Sequence, residues 1–155
     1  MNHAGKRIIF IGGSIVVREL PAAIESILDT AMLEGGASFV VGDAPGVDTL
    51  VQGYLSKAGW PHVTVYCMNY ARNNIGGWPV AKHKAPAGVT GSAWHAIKDR
   101  AMDAAATDGV MIWNGTSSGT RNNILALLGA GKPCTVWTPV DTTTYRTLIE
   151  FTEHS

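Results

Sequence analysis

A run of apolar residues, Gly109 to Trp113, stops at Asn-Gly-Thr-Ser-Ser-Gly-Thr, and an apolar helical segment from Ile124 to Leu128 follows. This unit strongly constrains the fold. A buried strand that feeds a helix through a short loop must let the helix fold back onto the sheet. A loop of small residues also leaves the first amides of that helix exposed at the positive end of its dipole. Such an end takes an anion, most often a phosphate.

The same rhythm recurs along the chain. Arg7 to Ile11 predicts a first strand, which ends in Gly12-Gly13-Ser14. Pro21 to Leu33 carries Ile24, Ile27, Leu28 and Leu33 at helical spacing, and Gly35-Gly36 closes it. Ser38 to Val41 is a second apolar strand with the exit loop Gly42-Asp43-Ala44-Pro45-Gly46. A helix over Val47 to Ala58 and a strand over His62 to Met68 follow. Trp94 to Ala106 reads as helix with Met102 and Ala105 on its apolar side, Gly109 to Trp113 as the fourth strand, and Pro133 to Thr138 as the fifth. The tail from Thr142 to Phe151 is assigned to a last helix. Between Asn69 and Ser92 the rhythm breaks, and a long loop there suits a lid or a binding loop.

Strands alternating with amphipathic helices predict an α/β chain: a doubly wound, Rossmann-like, mostly parallel sheet of about five strands with helices on both faces. At 155 residues the chain is expected to form a single domain spanning 1–155, with a long loop insertion near 69–93. Ligands of such sheets bind beyond the carboxyl ends of the strands, near a topological switch point.

Composition removes several classes of partner. Formal net charge is zero, so no global field attracts a nucleic-acid backbone or an anionic membrane. Low net charge also weakens colloidal repulsion, and a homo-oligomer is expected. No apolar run reaches membrane-spanning length. The polar stretch Met1 to Arg7 does not read as a signal peptide, and a cytoplasmic location is the expectation. Cys67 and Cys134 read as buried free thiols. The five histidines do not cluster, so no metal site is expected.

Three loops should meet in one crevice. Gly12, Gly13 and Ser14 lack the full dinucleotide glycine spacing, but they follow the first strand, and Ser14 carries a hydroxyl for a phosphate. In the second loop, Gly42 and Asp43 end a strand, where a carboxylate accepts a hydrogen bond from a ribose or base. Asp48 fits either support of the first helical turn or ligand contact. In the third loop, Gly115, Ser117, Ser118, Gly119 and Thr120 combine small size, hydroxyls and a helix start. Lys98, Asp99 and Arg100 form a charge run of the kind that usually faces solvent. Lys98 nevertheless lies four residues from Met102, on the same helical face, which places it at the border of the crevice.

The series strand–Gly-Gly-Ser, Gly-Asp-Ala-Pro-Gly-Val-Asp, Lys-Asp-x-x-Met and Trp-Asn-Gly-x-Ser-x-Gly-Thr resembles the SLOG superfamily of Rossmann-like nucleotide-binding proteins. That superfamily includes Lonely Guy-type phosphoribohydrolases, molybdenum-cofactor carrier proteins and the DNA-processing protein A group. The resemblance covers Arg7 to Thr138. It implies that Gly119-Thr120 keeps the second half of the phosphoribohydrolase phosphate motif. The catalytic acid of that motif falls on Asn123, and the catalytic arginine falls on Lys98, which keeps the charge without the bidentate fork.

The leading expectation is a protein that binds a nucleotide or nucleotide-derived phosphate ligand, as sensor or carrier. No cofactor is required beyond the bound nucleotide, and no membrane or nucleic-acid partner is expected. One alternative is an enzyme that cleaves or transfers an N-glycosidic bond, with Asp43, Lys98 and Asp99 as candidate catalytic residues. A second is an interaction module with a vestigial crevice.

Overall fold

The β-branched and aromatic residues of the apolar runs form the centre of one sheet in the computed structural model, which describes residues 6–154. Residues 1–5 of the polar amino-terminal stretch lie outside the described residues. The elements in chain order are β1 (Ile8–Gly13), α1 (Ala22–Gly35), β2 (Ser38–Val41), α2 (Val47–Lys57), β3 (Val63–Met68), β4 (Val80–His83), α3 (Gly91–Ala105), β5 (Asp108–Ile112), α4 (Ser118–Gly129), β6 (Cys134–Trp137), β7 (Thr142–Tyr145) and α5 (Leu148–His154).

The architecture is α/β and Rossmann-like. The strand order is β4-β3-β2-β1-β5-β6-β7, seven strands rather than about five. All neighbours run parallel except β7, which pairs antiparallel with β6. The two added strands sit at the edges, and that position hides them in the sequence. β4 is half exposed and carries Lys82, a charge of the kind that protects an edge. It lies within the segment expected to be a loop. β7 reads Thr-Thr-Thr-Tyr and replaces the first half of the expected last helix. The Thr138–Asp141 connection is too short for anything but a hairpin, and the Thr135 and Thr144 hydroxyls meet across it at 2.8 Å.

Alternation along β1 divides the core. Ile9 and Ile11 face Ile24 and Leu28 of α1 and Val51 and Leu55 of α2. Phe10 faces the other way, toward Met102 of α3, Ile124 and Leu127 of α4 and Phe151 of α5. Helices therefore cover both faces. Two expected core positions differ: Leu33 is exposed, and Ala106 rather than Ala105 turns inward after Met102. Cys67 and Cys134 are buried and free. No helix among the described residues is long and apolar enough to cross a membrane.

The segment after β3 is tied down by side chains from elsewhere. Gln52 is fully buried; its Nε2 donates to Gly42 O (2.9 Å) and Asn73 O (3.1 Å), and its Oε1 accepts from Ile75 N (2.9 Å). Asn74 brackets Trp78, accepting from its N–H at 3.0 Å and donating to its carbonyl at 2.8 Å. Trp78 is buried, and its indole donates to Trp60 O at 2.9 Å. Trp78 is thus a core residue of this chain.

The order also fixes where a ligand can sit. From β1 the chain moves to β2 on one side, and β5 returns on the other. From these two neighbouring strands the chain goes on to opposite sides of the sheet, and a crevice lies at their carboxyl ends.

Candidate functional site

The crevice has a volume of about 600 Å³, within the usual range for small-molecule sites. The β1 exit supplies Gly12, Gly13 and Ser14, the β2 exit supplies Ala44 and Pro45, the start of α2 supplies Asp48, α3 supplies Lys98, Asp99 and Met102, and α4 with the residue before it supplies Ser117, Ser118, Gly119, Thr120 and Asn123. Phe10 and Met102 give it an apolar floor.

Local chemistry shapes the α4 end. Asn114 Oδ1 accepts from Thr116 N (3.0 Å) and Ser117 N (2.8 Å), a side-chain-closed turn that Gly115 completes with φ of 89°. Trp113 donates from its indole to Ser117 O at 2.9 Å and fixes the helix start. Ser14 clamps the β1 loop to this turn: its hydroxyl meets Ser117 Oγ at 2.7 Å and Asn114 Oδ1 at 3.2 Å, and accepts from Asn114 N at 3.2 Å. The hydroxyl named as a phosphate donor is therefore engaged in holding two loops together. Close approach requires Gly13, since a Cβ there would lie 2.3 Å from Ile112 O.

The first helical amides are open. Arg121 N donates to Ser117 O at 3.2 Å, and among the described residues the amides of Ser118, Gly119 and Thr120 have no acceptor. A Cβ built at Gly119 would meet nothing within 4 Å, so this position opens onto free space.

Charges gather on the opposite wall. Lys98 is buried and its ammonium donates to Asp99 at 3.1 Å. Asp48 is buried at the start of α2, where its Oδ2 accepts from Ala44 N at 3.1 Å. Burial pushes its carboxyl up to about 7, against the hydrogen bond from Ala44 and the charge of Lys98, which pull it down. Gly42 makes room for this cluster: a Cβ there would sit 2.5 Å from Asp48 Oδ2 and 3.6 Å from Lys98 Nζ.

Asp43 lies behind the wall. Its Oδ1 accepts from Arg72 Nη2 at 2.8 Å, and its Oδ2 accepts from Arg72 N at 2.8 Å and Nε at 3.2 Å. Burial raises this carboxyl, but the hydrogen bonds and charge of Arg72 outweigh burial and hold it below its ordinary value. Both oxygens are occupied, and Asp43 positions Arg72, which does line the crevice.

Of the residues singled out in the sequence, Gly12, Gly13, Ser14, Lys98, Asp99, Ser117, Ser118, Gly119 and Thr120 come together around one space. Gly42, Asp43 and Gly115 stand behind it as supports. Arg72 and Gln52 gave no local signal, because their partners are distant in sequence. Asn123 faces the crevice with its Oδ1 held by Arg100.

No family model matches the chain, and no curated protein matches it.

Proposed function

We propose that this chain binds a nucleotide or nucleotide-derived phosphate ligand at the carboxyl ends of its parallel strands, as a sensor or carrier. One observation carries the reading: three acceptor-free amides at the start of a twelve-residue helix open, with buried Lys98, onto the same 600 Å³ space. The amides and helix dipole would hold phosphate oxygens, and Lys98 would neutralise charge. The apolar floor of Phe10 and Met102 suits the less polar remainder of the ligand. The loops that build the site also carry the resemblance to the SLOG superfamily. Calorimetry with a panel of nucleoside monophosphates tests the reading, together with mass spectrometry of small molecules released from the purified protein. Saturable binding of at least one nucleotide is expected. Failure of every nucleotide to bind, with nothing released, would overturn it.

Asp48 favours a second reading, an enzyme acting on an N-glycosidic bond. A carboxyl that titrates near neutrality beside a buried lysine suits general acid–base work. Asn123 cannot supply that function, because an amide neither gains nor loses a proton in this range. Release of free base from a nucleoside monophosphate, lost in Asp48→Asn, would establish this reading over binding without turnover.

A further inference from the structure

A smaller recess adjoins the crevice. Its volume is about 160 Å³ and its lining is Met68, Asn69, Tyr70, Arg72, Trp94 and Lys98. Arg72 and Lys98 line both spaces, so the two are compartments of one site divided by cationic side chains. The recess is too small for a whole drug-sized ligand, but it suits one ring system.

Its walls are built to stay open. β3 ends in a tight turn in which Tyr70 N donates to Met68 O at 2.6 Å. Asn69, the centre of that turn, has φ of 61° and is the one non-glycine with positive φ among the described residues. The turn leaves Tyr70 68% exposed, and among the described residues its ring stacks on no other ring. Trp94 enters from the first turn of α3, half-buried, with His95 edge-on to it at 4.9 Å between ring centroids. An exposed aromatic face beside a half-buried indole is a stacking platform.

Sheet order supplies the ruler. The phosphate end lies over the exits of β1 and β5, where Ser14 meets Ser117. Lys98 stands over the exit of β2, its ammonium near Gly42. The recess lies at the exit of β3. Neighbouring strands are about 4.8 Å apart, so the exits of β1 and β3 are separated by roughly 10 Å. A ligand reaching both needs a spacer between phosphate and ring, and a pentose provides one.

We propose that the Tyr70–Trp94 recess seats the nucleobase of a nucleoside 5′-phosphate whose phosphate rests on the start of α4, with Lys98 and Arg72 flanking the sugar between them. This assignment rests on the phosphate reading above.

Calorimetry with inorganic phosphate, ribose 5-phosphate and AMP separates the two claims. AMP should bind roughly 5- to 150-fold more tightly than ribose 5-phosphate, the range expected for stacking of one base on aromatic side chains. Tyr70→Ala and Trp94→Ala should each cut the AMP affinity toward that of ribose 5-phosphate, and leave ribose 5-phosphate within about twofold of the parent. Trp94→Phe should keep most of the preference. Tyr70 is exposed, so its alanine variant tests the recess even if Trp94→Ala folds poorly. Equal affinity of AMP and ribose 5-phosphate in the parent would overturn the recess while leaving the phosphate site standing. So would an AMP preference that survives Tyr70→Ala in a folded protein. Failure of all three probes would overturn both.

Discussion

Gly119→Asp separates binding from folding more sharply than any other change at this site. Gly119 is the second residue of α4, and a Cβ there meets nothing within 4 Å, so the new side chain enters open space without a clash. Glycine is a poor helix former, and an acid in the first turn favours the dipole by about 0.3–1 kcal/mol. Stability should therefore hold or rise, with a melting temperature up by roughly 1–4 °C for a chain of this size. Binding should move the opposite way. A carboxylate about 5 Å from one phosphate charge, at an effective dielectric of about 20, costs about 3 kcal/mol. That corresponds to roughly 200-fold weaker affinity. Gly119→Ala adds the Cβ without the charge, so it should keep the part of the gain that comes from helix propensity and lose much less affinity. Paired thermal melts and AMP calorimetry on the parent and both variants give the two quantities. If Gly119→Asp binds AMP within about twofold of the parent, the phosphate does not lie at the start of α4, and the reasoning fails.

Asp48 makes stability depend on pH. Its carboxyl titrates at about 7 in the folded chain against an ordinary 3.8, so between those values the native state keeps a proton that the unfolded chain has released. Stability should fall as pH rises through that window and level off above it, with an upper bound of about 4 kcal/mol. Asp48→Asn keeps an acceptor for Ala44 N–H and should flatten the profile; an equal loss of stability between pH 5 and pH 8 in parent and variant, measured by urea melts, would contradict the assignment. Trp78→Phe should destabilise the fold by about 1–3 kcal/mol, because the half-buried Trp60 carbonyl loses its donor. It should leave AMP affinity unchanged, and the fluorescence response to AMP should match that of the parent; loss of that response in the variant would point to a lid role for the segment.

The central strands and the helices between them were legible because each announces itself locally. β2 runs over Ser38–Val41 as its apolar run indicates, and β1, β3, β5 and β6 shift by no more than about two residues at either end. Burial on both faces forces a continuous apolar run, and that run is visible one residue at a time. β4 and β7 were not legible, since a strand at the sheet edge has a partner on one side only and tolerates Lys82 or a row of threonines. The loop at Asn114 to Thr120 was equally local, because its closure depends on residues two and three positions apart.

The sequence alone determined where glycine-rich loops follow apolar strands and where a helix begins after small residues. Those are nearest-neighbour properties of backbone and side chain. Tertiary structure decided which polar groups are free. Asp43 looked available and is bound by Arg72, 29 residues away, whereas Ser14 is held by Asn114 and Ser117 across a hundred residues or more. Asp48 fitted helix-start support and ligand contact equally, and only burial in the assembled crevice moves its titration toward neutrality. Hydrogen-bond partnership and desolvation belong to the space around a group, and that space exists only after distant segments have come together.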